Sequence, residues 1–228
     1  MNKVVVLSSG GMDSTVCLAR AVAEVGNENV ISLSITYGQK HIKELEAARK
    51  VAEYYKVKHY EKDLTSVFDF SECSLLSKNN EEIPHESYEE QLKEKDGIVT
   101  TYVPFRNGLF LSCAAAIALS LDADTVCYGA HADDAAGNAY PDCSVSFVNS
   151  MDFAIFEGTG YQVHLWAPLI HLNKTQVLQM GCDYNAPLGM TWSCYEGGDE
   201  PCGKCGTCID RARAFANLGL EDPAIPKK

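Results

Sequence analysis

Two short stretches of the chain carry residue types that do chemistry. The first, Ser8-Ser9-Gly10-Gly11-Met12-Asp13-Ser14-Thr15, sets adjacent glycines between an apolar run and a polar pair. Glycines here let backbone N–H groups come close to a phosphate, and the free N–H groups and dipole of a helix N-terminus favour anions. Ser9, Ser14 and Thr15 add hydroxyl donors. Asp13 would repel a bare phosphate and makes sense with Mg2+ between the two. The spacing matches neither Gly-x-Gly-x-x-Gly nor Gly-x-x-x-x-Gly-Lys-Ser/Thr, and the competing reading is a glycine turn with Asp13 as a helix cap. The second stretch places Cys194, Cys202, Cys205 and Cys208 at Cys-x7-Cys-x2-Cys-x2-Cys. Four thiolates suit tetrahedral Zn2+, and Gly203 and Gly206 permit tight turns between ligands. An iron–sulfur cluster makes the same demand for thiolates, but the common ferredoxin spacing is absent. A closed four-Cys site leaves no position for substrate, so the expectation is one structural zinc per chain.

These stretches need elements to hold them. Val4 to Leu7 is a β-branched apolar run, and Ser14 to Val25 follows with apolar residues at helical spacing. Asn29 to Tyr37 is strand-like, and Ile42 to Tyr55 places an apolar stripe among Lys and Glu. Lys58 to Leu64 is a weaker strand candidate. Asn107 to Leu121 predicts a buried helix, Thr125 to Tyr128 a buried strand, and Gln162 to Trp166 with Lys174 to Met180 one more strand and helix. The alternation predicts an α/β fold: a Rossmann-like, doubly wound parallel sheet with the glycine loop at its carboxyl edge. Residues 1–190 form this domain, and 191–228 a small zinc-binding tail packed on it. The acidic segment 71–99 interrupts the rhythm, with eight acidic residues against three lysines between Glu72 and Asp96. It reads as a solvated insertion or as a lid.

Composition narrows the function classes. The chain has 228 residues, 46% hydrophobic and 22% charged, which is a globular composition able to bury a core. The longest apolar stretch, Leu109 to Leu121, is shorter than the roughly 20 residues that span a bilayer, and the N-terminal apolar run is too short for a signal peptide. Both features predict a cytoplasmic protein with no membrane partner. Ten cysteines then read as metal ligands or reduced thiols, and the six outside the tail as core packing. A net charge of -12 opposes extensive nucleic-acid binding.

The Ser-Gly-Gly-x-Asp-Ser pattern resembles the PP-loop of ATP pyrophosphatases, which split ATP between the α and β phosphates. With the four-Cys tail, "TYGQKH" at 36 to 41, "YVPFRNGLFLS" at 102 to 112, "YPDC" at 140 to 143 and "LNKTQV" at 172 to 177, the chain resembles the 7-cyano-7-deazaguanine synthase family nearly end to end. The resemblance implies ATP, ammonia and 7-carboxy-7-deazaguanine as reactants, and a nitrile product formed through an adenylated acid, an amide and an adenylated amide. It also implies Mg2+ with ATP, a structural zinc and a homodimer. The expected ATP-binding residues are Ser8, Ser9, Gly10, Gly11, Met12, Asp13, Ser14, Thr15 and Tyr37. Asp13, Ser14, Arg106 and Lys174 are the expected catalytic groups, the two cations facing charge that develops on pyrophosphate and acyl oxygens.

A deazaguanine is flat and rich in donors and acceptors, so an aromatic face with carboxylates should hold it. The candidates are Asn107, His131, Asp133, Asp134, Tyr140 and Asp142. Asn107 has a helix-cap alternative, and His131 a purely structural one. The chain departs from the family at Phe105, where many members have Gly, and at Ser144, where they have Arg. Those departures leave open an enzyme that stops at an amide, simple or to a protein amine. A tRNA thiolase-like enzyme is the further alternative, and it would need a catalytic cysteine and a basic surface.

Overall fold

The structure is a computed structural model that describes residues 1–79, 83–85 and 99–225. Five strands, β1 (Val4–Leu7), β2 (Val30–Thr36), β3 (Lys58–Asp63), β4 (Thr125–Cys127) and β5 (His164–Trp166), form one sheet in the order β3-β2-β1-β4-β5. All four pairings are parallel, with Val4 opposite Val30 on one side and Thr125 on the other. Parallel pairing needs crossovers, and these are supplied by α1 (Met12–Val25), α2 (Lys43–Tyr55), α3 (Arg106–Ser120) and α4 (Val145–Gly158), with α5 (Lys174–Asp183) and α6 (Gly206–Asn217) following the last strand.

The sheet is covered on both faces because its central strand is apolar at every position. Val5 packs with Leu111, Ala114 and Ala118 of α3 and Val148 and Ile155 of α4. Val4 and Val6 point the other way, onto Val16 and Leu18 of α1, Val51 of α2, Val177 and Leu178 of α5 and Phe215 of α6. Successive side chains on a strand alternate faces, so one run of valines serves two cores. The edge strand β3 carries Lys58, Glu61, Lys62 and Asp63 towards solvent, a normal protection against edge pairing and the reason its sequence signal is weak. Helix α4, which the periodicity does not announce, starts where the Ser144 hydroxyl accepts from the Phe147 amide.

Strand order reverses between β1 and β4, so the loops that follow them part at the carboxyl edge and leave a crevice. The N-terminus of α2 closes one side of it. Gly10 has φ of 90°, and a Cβ there would overlap the Glu44 carbonyl oxygen, so only glycine lets α2 seat against the loop. The tail is integrated with this edge: Cys194, Cys205 and Cys208 share an apolar cluster with Tyr37, Phe68, Leu76 and Val103. Of the acidic segment, the described flanks pack on the stretch after β2, with Gln39 bridging Leu76 and the Ser77 amide donating to the Gly38 carbonyl. The lid question falls on 80–82 and 86–98, outside the described residues. No helix among the described residues is long and apolar enough to cross a membrane.

Candidate active site and metal centre

The glycine loop runs from β1 into α1, and Gly11 occupies the cap position of the helix without a side chain to offer. Asp13 therefore stands inside the first turn and is not the cap. An uncapped helix start leaves its first N–H groups to an external acceptor. The loop braces itself through hydroxyls: Ser9 and Ser14 share a hydrogen bond at 3.1 Å, the Gly10 amide donates to Ser14 at 3.3 Å, and the Gly11 amide donates to Ser9 at 3.2 Å. Met12 and Thr15 turn their side chains into the core, so what they offer at this edge is backbone.

Asp13 is the centre of a charged cluster. The Lys174 ammonium donates to both of its oxygens, at 2.7 and 2.6 Å. His131 Nε2 lies 3.8 Å from Asp13 and 3.3 Å from Asp134. Burial works against the Asp13 charge, yet Lys174 and His131 outweigh it and hold the carboxyl below its ordinary range. Asp134 goes the other way, raised by burial that His131 only partly relieves. Lys174 is aimed by its backbone, since its amide donates to Asp133 at 2.8 Å while Asn173 and Gln176 form a capping box at the start of α5.

A cavity of about 210 Å3 opens over this cluster. Ser8, Ser9, Asp13 and Ser14 form its floor, and Leu33, Ser34 and Ile35 from the end of β2 form one wall. Arg106, Asn107 and Phe110 at the start of α3 form another, with Tyr128, Gly129 and Asp134 beyond β4. Tyr37, Glu44 and Tyr195 close the far end. Arg106 donates to the Tyr37 hydroxyl at 3.2 Å and lies 5.1 Å from its ring centre. Burial disfavours its charge, but Tyr37, Tyr195 and Asp142 outweigh that and raise its pKa. Tyr37 is itself pushed up to about 12 by burial, against the pull of Arg106. No carboxylate among the described residues forms an ion pair with Arg106, so this half-buried cation in the cavity is held by aromatic partners and has no counter-ion among those residues.

The remaining expected substrate residues lie beneath the cavity and hold one another. The Asn107 amide donates to Asp142 at 3.0 Å, and its side chain donates to the Cys143 sulfur at 3.3 Å. Tyr128 donates to the Asp142 carbonyl at 2.7 Å. Tyr140 shares a 2.6 Å hydrogen bond with Thr101. Asp142 is 3% exposed, with one oxygen lacking a partner, and burial raises its pKa. Asn107 reaches the cavity wall; Asp133, Tyr140 and Asp142 do not. Sequence reading missed Gln39, Glu44, Phe110, Tyr128 and Tyr195. Acidic residues are ordinary in a helix's first turn, so nothing in the sequence marks Glu44.

The sulfurs of Cys194, Cys202, Cys205 and Cys208 lie within 4.8 Å of one another. The Cys202 amide donates to the Cys194 sulfur at 3.3 Å, and the Cys205 amide to the Cys202 sulfur at 3.3 Å. Backbone donors on sulfur favour thiolates, the form in which cysteine binds a metal ion. The four sulfurs thus form a centre able to hold a metal ion. The Trp192 amide donates to the Gly10 carbonyl at 3.0 Å, and its indole donates to the Cys194 carbonyl at 2.8 Å. One residue therefore ties the cysteine centre to the glycine loop. The other six cysteines form no disulfide, and Cys17, Cys73, Cys127 and Cys143 are buried.

Comparison with known proteins agrees with this geometry. The family model described as "Queuosine biosynthesis protein QueC" matches residues 3–219. A protein named 7-cyano-7-deazaguanine synthase from Nitratiruptor is 42% identical over 229 residues, covering 99% of this chain and 99% of that protein. One from Archaeoglobus fulgidus, with the same name, is 38% identical over 224 residues, 98% of this chain and 90% of that protein. Among solved structures, NMN synthetase from Francisella tularensis superposes with a TM-score of 0.51 at 16% identity, covering 96% of this chain and 78% of that one. The U34-tRNA thiolase NcsA from Methanococcus maripaludis, described with its [4Fe-4S] cluster, gives a TM-score of 0.50 at 18% identity, covering 95% and 65%. The structural neighbours share the fold, and the sequence matches carry the closer kinship: the chain belongs to the QueC family.

Proposed function

We propose that the chain uses ATP to convert 7-carboxy-7-deazaguanine and ammonia to 7-cyano-7-deazaguanine. The observation that carries this reading is the single cavity joining an uncapped, glycine-rich helix start to the Arg106 cation, which has no counter-ion among the described residues. A carboxylate resists ammonia because its charge repels nucleophiles and oxide is a poor leaving group. Attack of the acid on the α-phosphate of ATP expels pyrophosphate and leaves an acyl-AMP. Ammonia then displaces AMP to give the amide. A second ATP adenylates the amide oxygen, again expelling pyrophosphate, and loss of AMP and a proton forms the C≡N bond. One phosphate site serves both activations.

In this reading the backbone of Ser8 to Thr15 and the Ser9 and Ser14 hydroxyls hold phosphates. Arg106 and Lys174 face charge developing on pyrophosphate and acyl oxygens, and the Tyr37 hydroxyl holds Arg106 at the cavity's far end. Lys174 and His131 keep Asp13 ionised, and Asp13 and Asp134 are the cavity carboxylates suited to Mg2+ brought in with ATP. That cation supplies neutralisation of phosphate charge. The metal of the tail is zinc, structural and one per chain; its donor set of four thiolates is closed. Ten cysteines without a disulfide suit a reducing, cytoplasmic setting. A homodimer completes the proposal, as the family resemblance implies.

The cavity argues against the thiolase alternative. Cys143 is the cysteine that lines it, and burial pushes its thiol well above the usual range, the opposite of an activated nucleophile. Mass spectrometry of products from protein, ATP, Mg2+, ammonia and the carboxylated deazaguanine tests the proposal. A product lacking both carboxyl oxygens, with two AMP per turnover, supports the nitrile. A product retaining one oxygen, with a single AMP, replaces it with the amide, and one mass-shifted by a protein amine identifies that acceptor. For the metal, elemental analysis should return one zinc per chain, and Cys205→Ser should lose metal and melt the tail at lower temperature, because metal-binding energy is folding energy at such sites. Visible absorbance from iron–sulfur charge transfer would overturn the zinc assignment.

A further inference from the structure

The cavity is lined by a carboxyl that, like Arg106, has no ion-pair partner among the described residues. Glu44 sits in the first turn of α2, locked against the glycine loop by the close approach at Gly10. Its side chain lines the cavity, and it makes no hydrogen bond or ion pair with the described residues. The other carboxyls near the site are engaged: Asp13 by Lys174, Asp134 by His131, and Asp142, below the floor, by the Asn107 amide. Arg106 is near enough to pull on the Glu44 carboxyl without reaching ion-pair contact.

A site that adenylates a deazaguanine acid must admit two nucleobases and keep them apart. The pyrimidine edge of deazaguanine presents the N1–H and the 2-amino group as two parallel donors, which one carboxylate accepts together. Adenine presents an acceptor, N1, at the matching position, and a carboxylate facing it would be repelled. We propose that Glu44 recognises the deazaguanine base, its carboxylate accepting the N1–H and 2-amino hydrogens and excluding adenine from that end of the cavity. Arg106 is then free for the substrate's carboxylate. The inference rests on the functional reading above. Burial holds the Glu44 carboxyl up at about 7 in the free protein, the state of a group whose hydrogen-bonding partners arrive with the ligand. A residue that meets the base by repelling the alternative gives specificity through a mismatch as well as through a contact.

The test is pyrophosphate release with 7-carboxy-7-deazaguanine and with its analogue lacking the 2-amino group, by wild type, Glu44→Gln and Glu44→Asp, with melting temperatures taken alongside. Wild type should prefer the amino-bearing acid by roughly ten- to a hundredfold in kcat/KM, the worth of a hydrogen bond to a charged group. Glu44→Gln should lose most of that preference by a rise in KM for the base, with KM for ATP unchanged, and Glu44→Asp should recover part of it. An active Glu44→Gln enzyme with wild-type preference, or one whose KM rises for ATP instead, overturns the inference and leaves the proposed function standing. Wild type that releases no pyrophosphate with either acid overturns both.

Discussion

Two loops flank the crevice at the carboxyl edge of the sheet, and they spend their polar residues differently. In the loop after β1, the Ser9 and Ser14 hydroxyls and the Gly10 and Gly11 amides at the cavity floor bond to one another, at 3.1 to 3.3 Å, in contacts that a ligand can replace. The loop after β4 is richer in polar groups, yet Asp133, Tyr140 and Asp142 lie off the cavity lining and are bonded to protein partners: Asp133 to the start of α5, Tyr140 to Thr101, Asp142 to the start of α3. Proximity to a site does not make a residue a ligand contact. A side chain that holds a buried partner and does not face the cavity costs stability when removed before it costs binding.

The largest effect should come from the first loop. Asp13→Ala should keep the fold and lower pyrophosphate release by about 10^2- to 10^3-fold or more, as loss of a preorganised charged group does. Removing it also frees the Lys174 ammonium from its carboxylate contacts at 2.6 and 2.7 Å. The pH dependence has a definite sign. The Asp13 carboxyl is held below its ordinary value of 3.8, so its contribution to stability is present above that value and is lost as pH falls through the depressed one. Wild type and Asp13→Ala should therefore converge in melting temperature under acid. Normal turnover by the variant would show that the loop after β1 holds no nucleotide, and the contrast between the loops would collapse.

That contrast also explains how much was legible in the sequence. The strand, glycine turn and helix of the first loop are contiguous, so local spacing reveals the geometry, and the four cysteines lie within one fifteen-residue stretch, Cys194 to Cys208. The doubly wound sheet was legible for the same reason, from runs such as Val4–Leu7. What the sequence hid is made by long-range contacts. Nothing local to Asp142 says that it meets the Asn107 amide, 35 positions away, and nothing local to Tyr195 says that a residue of the cysteine tail lines the cavity. Glu44 is hidden differently, as a carboxylate in a helix's first turn where a charged residue needs no explanation.

A middling effect is expected at Asp142, and it tests the second loop. Asp142→Ala strands the buried Asn107 amide and should cost about 1–3 kcal/mol of stability, while the KM for ATP stays put. Asp142→Asn keeps an acceptor and should cost less than about 1 kcal/mol. Burial raises the Asp142 carboxyl above its ordinary value, so its stability contribution is greatest below pH 3.8 and is lost as pH rises through the raised value. The Asn variant should flatten that slope in urea titrations across the acid range. A rise in KM for the deazaguanine acid with unaltered stability would instead make Asp142 a substrate contact and erase the difference between the two loops.

The smallest effect is expected at Phe105, where the chain departs from the Gly of many relatives, and it decides whether that departure belongs to packing or to the reaction. Phe105 lies at φ 53°, in the left-handed region that costs a residue with a Cβ about 1 kcal/mol or more. Its ring is half exposed and packs edge-on to Phe147 at 6.0 Å, and such pairs contribute about 0.5–1.5 kcal/mol. Phe105→Gly relieves the first and forfeits the second, so the two should nearly cancel and the melting temperature should move by no more than about 4–8 °C in either direction. Coupling to Gly108 makes the prediction sharper. A Cβ at Gly108 would overlap the Phe105 ring, so Gly108→Ala should destabilise wild type. Once the ring is removed the same change should be neutral or stabilising, by up to about 1 kcal/mol from helix propensity. A double-mutant cycle measures that coupling directly. If the cycle closes as expected and Phe105→Gly leaves the product mass unchanged, the departure is a local exchange of glycine between positions 105 and 108. If the product mass changes instead, position 105 governs how far the reaction runs, and the wall formed by α3 acts on the chemistry as directly as the glycine loop does.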